Sequence, residues 1–125
     1  MRDEVDLETW LATLPRGTRL ITCAIVRGEI LFGIERLPRG RRRTELETKA
    51  RHIFSVISCE PIPERAADFY AAVKVSRQRN RLSLDECDLW IAATVLALGA
   101  VLVTRDSDFA RIEGLTVVSA RVLPR

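Results

Sequence analysis

Three carboxylates in this 125-residue chain stand at positions that local structure does not explain. Glu29 lies in a predicted helix with apolar neighbours on both sides, and Asp88 lies near the start of an apolar helix. Asp106 directly follows a predicted strand, and α/β sheets bind ligands at the carboxyl ends of parallel strands. Such charges are seldom buried unless they are paired or hold a metal. Mg²⁺ prefers oxygen ligands, so these acids predict a metal site. Bound near a phosphodiester, such an ion can polarise the phosphate and activate a water.

Each acid also has a simpler interpretation. Glu29 or Asp88 could pair with a nearby arginine, and Asp88 could be a second helix cap. Asp106 and Asp108 could be turn aspartates, which is a common use of that residue. One acid alone is therefore a weak signal, and the order of the acids and the elements around them strengthen the metal-site interpretation.

The elements that must position these acids alternate between helical and strand patterns. This alternation predicts an α/β domain with a parallel sheet. The predicted helices cover residues 4–14, 24–37, 41–58, 64–80 and 84–98, and the predicted strands cover 18–23, 100–104 and 115–120. An edge strand or extended link is predicted over 60–63, and an acidic loop over 105–110.

The helix over 84–98 carries the clearest local signals. Ser83 and Glu86 have the spacing of a capping box, and Gly99 is a typical residue after a helix C-terminus. The body of the helix is apolar nearly all round, so we expect protein to cover it on several sides.

Composition and size indicate one soluble globular domain over residues 1–125. Hydrophobic residues make up 47% and charged residues 30%. The N-terminus lacks the pattern of a signal peptide, and the longest apolar run, Leu89 to Val103, is too short for a membrane span. The three cysteines are far apart and form no C-x-x-C motif, which favours a reducing cytoplasm over a disulfide framework or a zinc site.

Positive charge comes mainly from arginine, since the chain has only two lysines and a net charge of +3. Basic residues at the start of the predicted helix over 41–58 oppose the helix dipole, which suggests a role other than helix stability. A solvated helix start is the alternative. Candidate contacts to RNA phosphates are Arg39, Arg41, Arg42, Arg43 and Arg105, and their contribution would fall with added salt.

Two segments resemble the PIN domain of VapC-type toxins. The segment ITCAIVRGEILFGIERLPRGRRR is similar to that family's second strand and following helix, with its Gly-Glu-aliphatic motif. The segment LDECDLWIAATVLALGAVLVTRDSDF is similar to its later half, in which Asp-x-x-Ile-Ala-Ala leads to Leu-Val-Thr-Arg-Asp and then Asp-Phe. The resemblance spans the chain from about Trp10 onward.

The resemblance implies a three-layer α/β/α sandwich and an endoribonuclease that depends on Mg²⁺ or Mn²⁺. It assigns catalysis and metal binding to Glu29, Asp88 and Asp106, with Asp108 and Thr104 as secondary site residues. Hydrolysis would leave a 3′-hydroxyl and a 5′-phosphate. The family also implies a toxin of a toxin–antitoxin pair, with an RNA substrate such as tRNA, a small VapB-like antitoxin and a homodimer.

One departure from the family concerns its first strand, which ends in an aspartate that binds metal. No apolar run precedes Asp3, Glu4 or Asp6, so none of them takes that role. We therefore expect a domain that is incomplete at its N-terminus relative to the family, with two neighbouring strands lacking their central partner.

Two other functions stay open at this stage. One is a catalytically inactive PIN remnant that only binds an antitoxin or RNA. The other is a simple basic nucleic-acid-binding module, which the 6% aromatic content and the lack of a stacking pattern disfavour.

Overall fold

The fold comes from a computed structural model that describes Ala12, residues 14–104 and residues 106–119. The elements are β1 (Ile21–Cys23), α1 (Ala24–Glu35), α2 (Arg41–Val56), β2 (Ser58–Glu60), α3 (Ala66–Arg79), α4 (Glu86–Leu98), β3 (Leu102–Thr104), a 3₁₀ helix (Ser107–Phe109) and β4 (Val117–Ser119). The helix predicted over 4–14 falls almost entirely outside the described residues, as do Arg105 and Ala120.

The strands pair in parallel, which confirms the predicted α/β class. Strand β1 pairs with β2, with Ile21 opposite Ser58, and β3 pairs with β4, with Leu102 opposite Val117. Within the described part of the chain these are two separate two-stranded sheets.

Several predicted boundaries were wrong. Helix α2 ends at Val56, because Ile57 is already extended. Strand β2 covers Ser58–Glu60, so it overlaps the predicted helix at Ser58 and the predicted edge strand or extended link only at Glu60. The strand therefore precedes Pro61 and Pro63, since a proline cannot donate a hydrogen bond to a neighbouring strand. The other strands are shorter than predicted, and part of the predicted acidic loop is the 3₁₀ helix.

The start of α4 also differs from the predicted capping box. Asp85, not Ser83, is the N-cap, and its Oδ1 accepts a hydrogen bond from the backbone N–H of Asp88 at 2.8 Å. Aspartate and serine are comparable N-caps, so the capping preference alone could not decide between two candidates two residues apart. Asp88 consequently lies in the first turn of α4.

Helix α4 is the centre of the core, as its apolar sequence predicted. Its small residues Ala93 and Ala97 pack with Ala66 of α3, and these three residues are almost fully buried. A second cluster joins α3 and α4 to the 3₁₀ helix and the loop after it, and its buried members are Val73, Leu89, Ile91, Ala92, Phe109 and Ile112. None of the helices in the described part of the chain combines the length and apolarity needed to span a bilayer.

Candidate metal centre

The N-terminal end of α4 brings three carboxylates together. Asp85 caps the helix, Asp88 lies in its first turn, and Glu29 comes from the neighbouring helix α1. Each offers one oxygen, and these oxygens all lie within 4.8 Å of one another. Glu29 and Asp85 are exposed, whereas Asp88 is partly buried. Side chains from two helices, distant in sequence, thus converge on one small volume.

The electrostatics of Asp88 show how crowded this volume is. The pKa of the Asp88 carboxyl is raised to about 6, most of all by desolvation and then, in decreasing order, by the negative charges of Asp85, Glu29, Asp106 and Asp108. Among the described residues, none of these five acids forms an ion pair with an arginine or lysine. The cluster therefore carries excess negative charge that the described part of the chain leaves uncompensated.

The two aspartates after β3 have local roles as well. Oδ1 of Asp106 accepts a hydrogen bond from the backbone N–H of Asp108 at 2.8 Å. The backbone N–H of Asp106 donates to Oγ1 of Thr104 at 3.1 Å. The turn interpretation of these residues thus has direct support. It does not exclude the metal-site interpretation, because both aspartates still act on the pKa of Asp88.

The structure brings together two of the three predicted primary acids and adds one that sequence reasoning missed. Glu29 and Asp88 are in the cluster, while Asp106 and Asp108 are near enough to interact with Asp88 electrostatically. The sequence does not single out Asp85, because Ser83 two residues earlier is an equally good candidate for the N-cap. The three-residue spacing of Asp85 and Asp88, which is that of an N-cap and its partner in the first turn, was the available signal.

Within the described part of the chain, Glu29 forms no ion pair with an arginine. Arg27, its neighbour in sequence, places its guanidinium carbon 4.4 Å from the centre of the Phe54 ring. Cys87 lies beside the cluster, and desolvation, the charge of Glu29 and a hydrogen bond with Glu29 are among the causes that raise the pKa of its thiol. A thiol held in its protonated form is a poor nucleophile and a poor metal ligand.

The predicted basic residues differ in their surroundings. Arg39, Arg41 and Arg42 are exposed. Arg43 instead forms ion pairs with Glu35 and Glu47, and it donates to the backbone carbonyls of Glu35 and Leu37. Its side chain is 18% exposed and fastens the α1–α2 connection, which is a structural role that the sequence did not predict. Arg105 lies outside the described residues.

A groove between α1 and α2 is distinct from the acidic cluster. Its volume is about 480 Å³, and its lining includes Leu31, Ile34 and Phe54 together with Arg27 and Glu47. Phe32 on α1 is 68% exposed, and Leu31 is 41% exposed. Apolar surface of this kind is typical of a contact site for another protein.

The carboxylate oxygens of Glu29, Asp85 and Asp88 fit a hard divalent cation. Mg²⁺ and Mn²⁺ take oxygen ligands, and Mg²⁺ usually binds through one or two carboxylates while keeping several waters. A cation there would also offset the repulsion that raises the pKa of Asp88.

Comparison with known proteins agrees with this fold. A family model described as PIN domain matches residues 1–115. Ribonuclease VapC1 of Rickettsia felis is 28% identical over 96 residues, which cover 76% of this chain and 72% of that protein. VapC ribonuclease Y4jK of Sinorhizobium fredii is 26% identical over 103 residues, covering 80% of this chain and 74% of that protein.

Two solved structures have a similar fold. VapBC-1 from nontypeable Haemophilus influenzae matches with a TM-score of 0.79 and 21% identity, over 96% of this chain and 87% of that chain. FitAcB from Neisseria gonorrhoeae matches with a TM-score of 0.78 and 21% identity, over 95% and 87%. The predicted PIN-like α/β fold is confirmed, and because the family model covers residues 1–115, the chain belongs to the PIN domain family.

Proposed function

We propose that the chain is a metal-dependent endoribonuclease and the toxin of a VapBC-like toxin–antitoxin pair. The observation that carries this proposal is the convergence of Glu29, Asp85 and Asp88 at the start of α4. Membership of the PIN domain family supports it, as does the similarity to proteins named VapC ribonucleases.

Glu29, Asp85 and Asp88 would hold one or two Mg²⁺ or Mn²⁺ ions through their carboxylate oxygens. When bound, the cation supplies Lewis-acid chemistry, in which it polarises the phosphate and neutralises charge that develops during hydrolysis. Asp85 would contribute one oxygen, and the hydrogen bond that its Oδ1 accepts as helix cap holds the carboxylate in place.

The remaining acids would handle the water that attacks the phosphate. Hydrolysis forms a bond between the water oxygen and phosphorus and breaks the bond from phosphorus to the 3′ oxygen. The products are a 3′-hydroxyl and a 5′-phosphate. Asp106 is held by the turn that it caps, and we assign to Asp106 and Asp108 the orientation of the water and the acceptance of its proton.

RNA would be held by arginine contacts to its phosphates. We assign this role to the exposed Arg39, Arg41 and Arg42, and also to Arg105. Arg43 is not assigned this role, because its guanidinium forms ion pairs with Glu35 and Glu47. Binding through such contacts weakens steeply as the salt concentration rises. A tRNA is the first substrate to test.

Protein partners would be a small VapB-like antitoxin and a second copy of the chain. The exposed apolar residues Leu31 and Phe32 on α1 support a contact site for the antitoxin. The solved structures similar in fold include complexes named VapBC, one of them VapBC2 from Rickettsia felis bound to a promoter DNA fragment.

All three cysteines are free, which supports a reducing compartment such as the cytoplasm.

Replacing one acid tests the proposal. With purified full chain, tRNA and Mg²⁺ or Mn²⁺, Asp88→Asn should lower the cleavage rate by roughly 100-fold, because losing even an outer-shell partner of a metal costs 10- to 100-fold. EDTA should abolish cleavage by the unmodified chain. The matched control is Asp68→Asn, which removes an exposed acid from α3 and should cut at the unmodified rate.

Cleavage by Asp88→Asn at the unmodified rate would contradict the assignment of the site. If the unmodified chain binds RNA equally well in EDTA and never cuts it, the chain is a binding protein and the nuclease proposal is wrong.

A further inference from the structure

Arg77 of α3 is the one charged side chain that is buried among the described residues, with 7% of its surface exposed. Its guanidinium donates to three backbone carbonyls. Nη2 donates to Ser83 at 2.9 Å and to Asp108 at 3.2 Å, and Nη1 donates to Ala110 at 3.1 Å. No carboxylate of the described residues pairs with it. A buried positive charge is thus held by backbone oxygens alone.

These three carbonyls belong to the two segments that carry the acids. Ser83 lies two residues before Asp85, on the segment that leads into α4. Asp108 and Ala110 belong to the segment after β3, which also contains Asp106. Ser83 and Asp108 are 25 positions apart in sequence, and Nη2 of Arg77 contacts both. Arg77 therefore bridges the segment that leads into α4 and the segment after β3.

Stability alone is a weak reason for this arrangement. Burying a charge costs several kcal/mol, and an apolar side chain of similar volume is often neutral or stabilising in its place. The Nε atom of Arg77 is also buried without a hydrogen-bond partner among the described residues, and an unsatisfied buried group costs roughly 1–3 kcal/mol. The guanidinium offers what an apolar residue cannot, namely several donors in a rigid fork that reach two segments at once.

We propose that Arg77 is a positioning residue that holds the 83–88 segment and the 106–110 segment in register, and thereby sets the geometry of the acidic cluster. The inference rests on the proposed function, because it assumes that these acids act together on a cation. In this role Arg77 acts through the backbone carbonyls that it contacts, without touching the substrate.

The test compares four variants of the full chain. Arg77→Met removes the fork and the charge, and Arg77→Lys keeps the charge but not the fork. Ile34→Ala creates a cavity at a buried position of α1 and controls for lost stability. Arg65→Met removes an arginine that donates to the carbonyl of Ala97, at the far end of α4. All measurements are made well below the melting temperature of the least stable variant.

Two readouts separate positioning from general stability. Hydrogen exchange in metal-free buffer should show faster exchange in both segments, 83–88 and 106–110, for Arg77→Met, with a smaller change for Arg77→Lys. Mn²⁺ affinity, measured from the free Mn²⁺ signal in electron paramagnetic resonance, should weaken by roughly tenfold in Arg77→Met. Ile34→Ala and Arg65→Met should leave both readouts at the unmodified values.

The outcomes are distinguishable. If Arg77→Met exchanges in both segments like Ile34→Ala, or if it binds Mn²⁺ as tightly as the unmodified chain, the inference is overturned while the proposed function stands. If the unmodified chain neither binds Mn²⁺ nor cuts RNA, the proposed function fails, and the hydrogen-exchange comparison alone then decides whether Arg77 holds the two segments.

Discussion

The two ends of helix α4 differ in how their polar groups are paired. At the C-terminal end, Gly99 adopts the left-handed conformation with φ of 63°, and its N–H donates to Leu96 at 3.2 Å. The N–H of Ala100 donates to Val95 at 3.1 Å, and Arg65 donates to the carbonyl of Ala97. At the N-terminal end, by contrast, Asp85 and Asp88 meet Glu29, and no arginine or lysine of the described residues pairs with them.

The difference indicates which end of α4 lacks a compensating positive charge among the described residues. A helix N-terminus favours a nearby anion, but only by about 0.3–1 kcal/mol for each exposed charge. That attraction is too small to offset the desolvation and repulsion in the acidic cluster. Desolvation and four neighbouring acids still raise the pKa of Asp88 to about 6. The C-terminal end is complete as a structural cap, whereas the N-terminal end is suited to a cation.

The largest expected effect is on metal binding, and it separates the role of Asp85 as a helix cap from its proposed role as a metal ligand. Asp85→Asn should keep the helix cap, since asparagine caps as well as aspartate, but it should weaken Mn²⁺ binding by roughly tenfold or more. Titration calorimetry and urea unfolding of the same samples measure the two effects. Equal Mn²⁺ affinity in Asp85→Asn and the unmodified chain would remove Asp85 from the site. Asp68→Asn is again the matched control.

A smaller effect concerns stability and pH. The pKa of Asp88 is raised from 3.8 to about 6, so between these values the folded chain holds a proton that the unfolded chain has released. Stability contributed by this group is therefore lost as the pH rises from about 4 to about 6. In EDTA at pH 7.5, Asp88→Asn should be more stable than the unmodified chain by roughly 1 kcal/mol, a modest value because solvent screens the partly exposed carboxyl.

Urea unfolding of both proteins at pH 4 and pH 7.5 measures that difference. It should vanish at pH 4 and shrink at pH 7.5 when Mg²⁺ is added. An Asp88→Asn variant that is less stable than the unmodified chain at pH 7.5 would mean that another charge already compensates Asp88.

The smallest effect tests the other end of α4. Gly99→Ala should lower the free energy of unfolding by about 1 kcal/mol, because a Cβ disfavours the left-handed conformation. No described atom lies within 4 Å of the added Cβ, so a steric clash adds nothing to this cost. Mn²⁺ affinity should stay unchanged. A change in affinity would show that the two ends of the helix are coupled.

Much of the fold could be predicted from sequence because its signals are local. The apolar body of α4 and Gly99 after it specified a buried helix and its end, and the alternation of patterns specified α/β. The start of α4 was less determined, since Ser83 and Asp85 are both good caps. Strand lengths were overestimated, because β-branched residues indicate an extended chain but do not tell where pairing with another strand stops.

The sequence by itself determined that Glu29, Asp88, Asp106 and Asp108 stand at unusual places, and on which elements. Only the tertiary structure decided that Asp85 joins Glu29 and Asp88, that Arg43 fastens α1 to α2, and that the buried Arg77 contacts both acidic segments. The physical reason is that the signals readable from sequence act over a short range along the chain. Capping and periodicity act within a few residues, whereas the repulsion among these carboxylates and the reach of a guanidinium depend on distances that packing of α1, α3 and α4 creates.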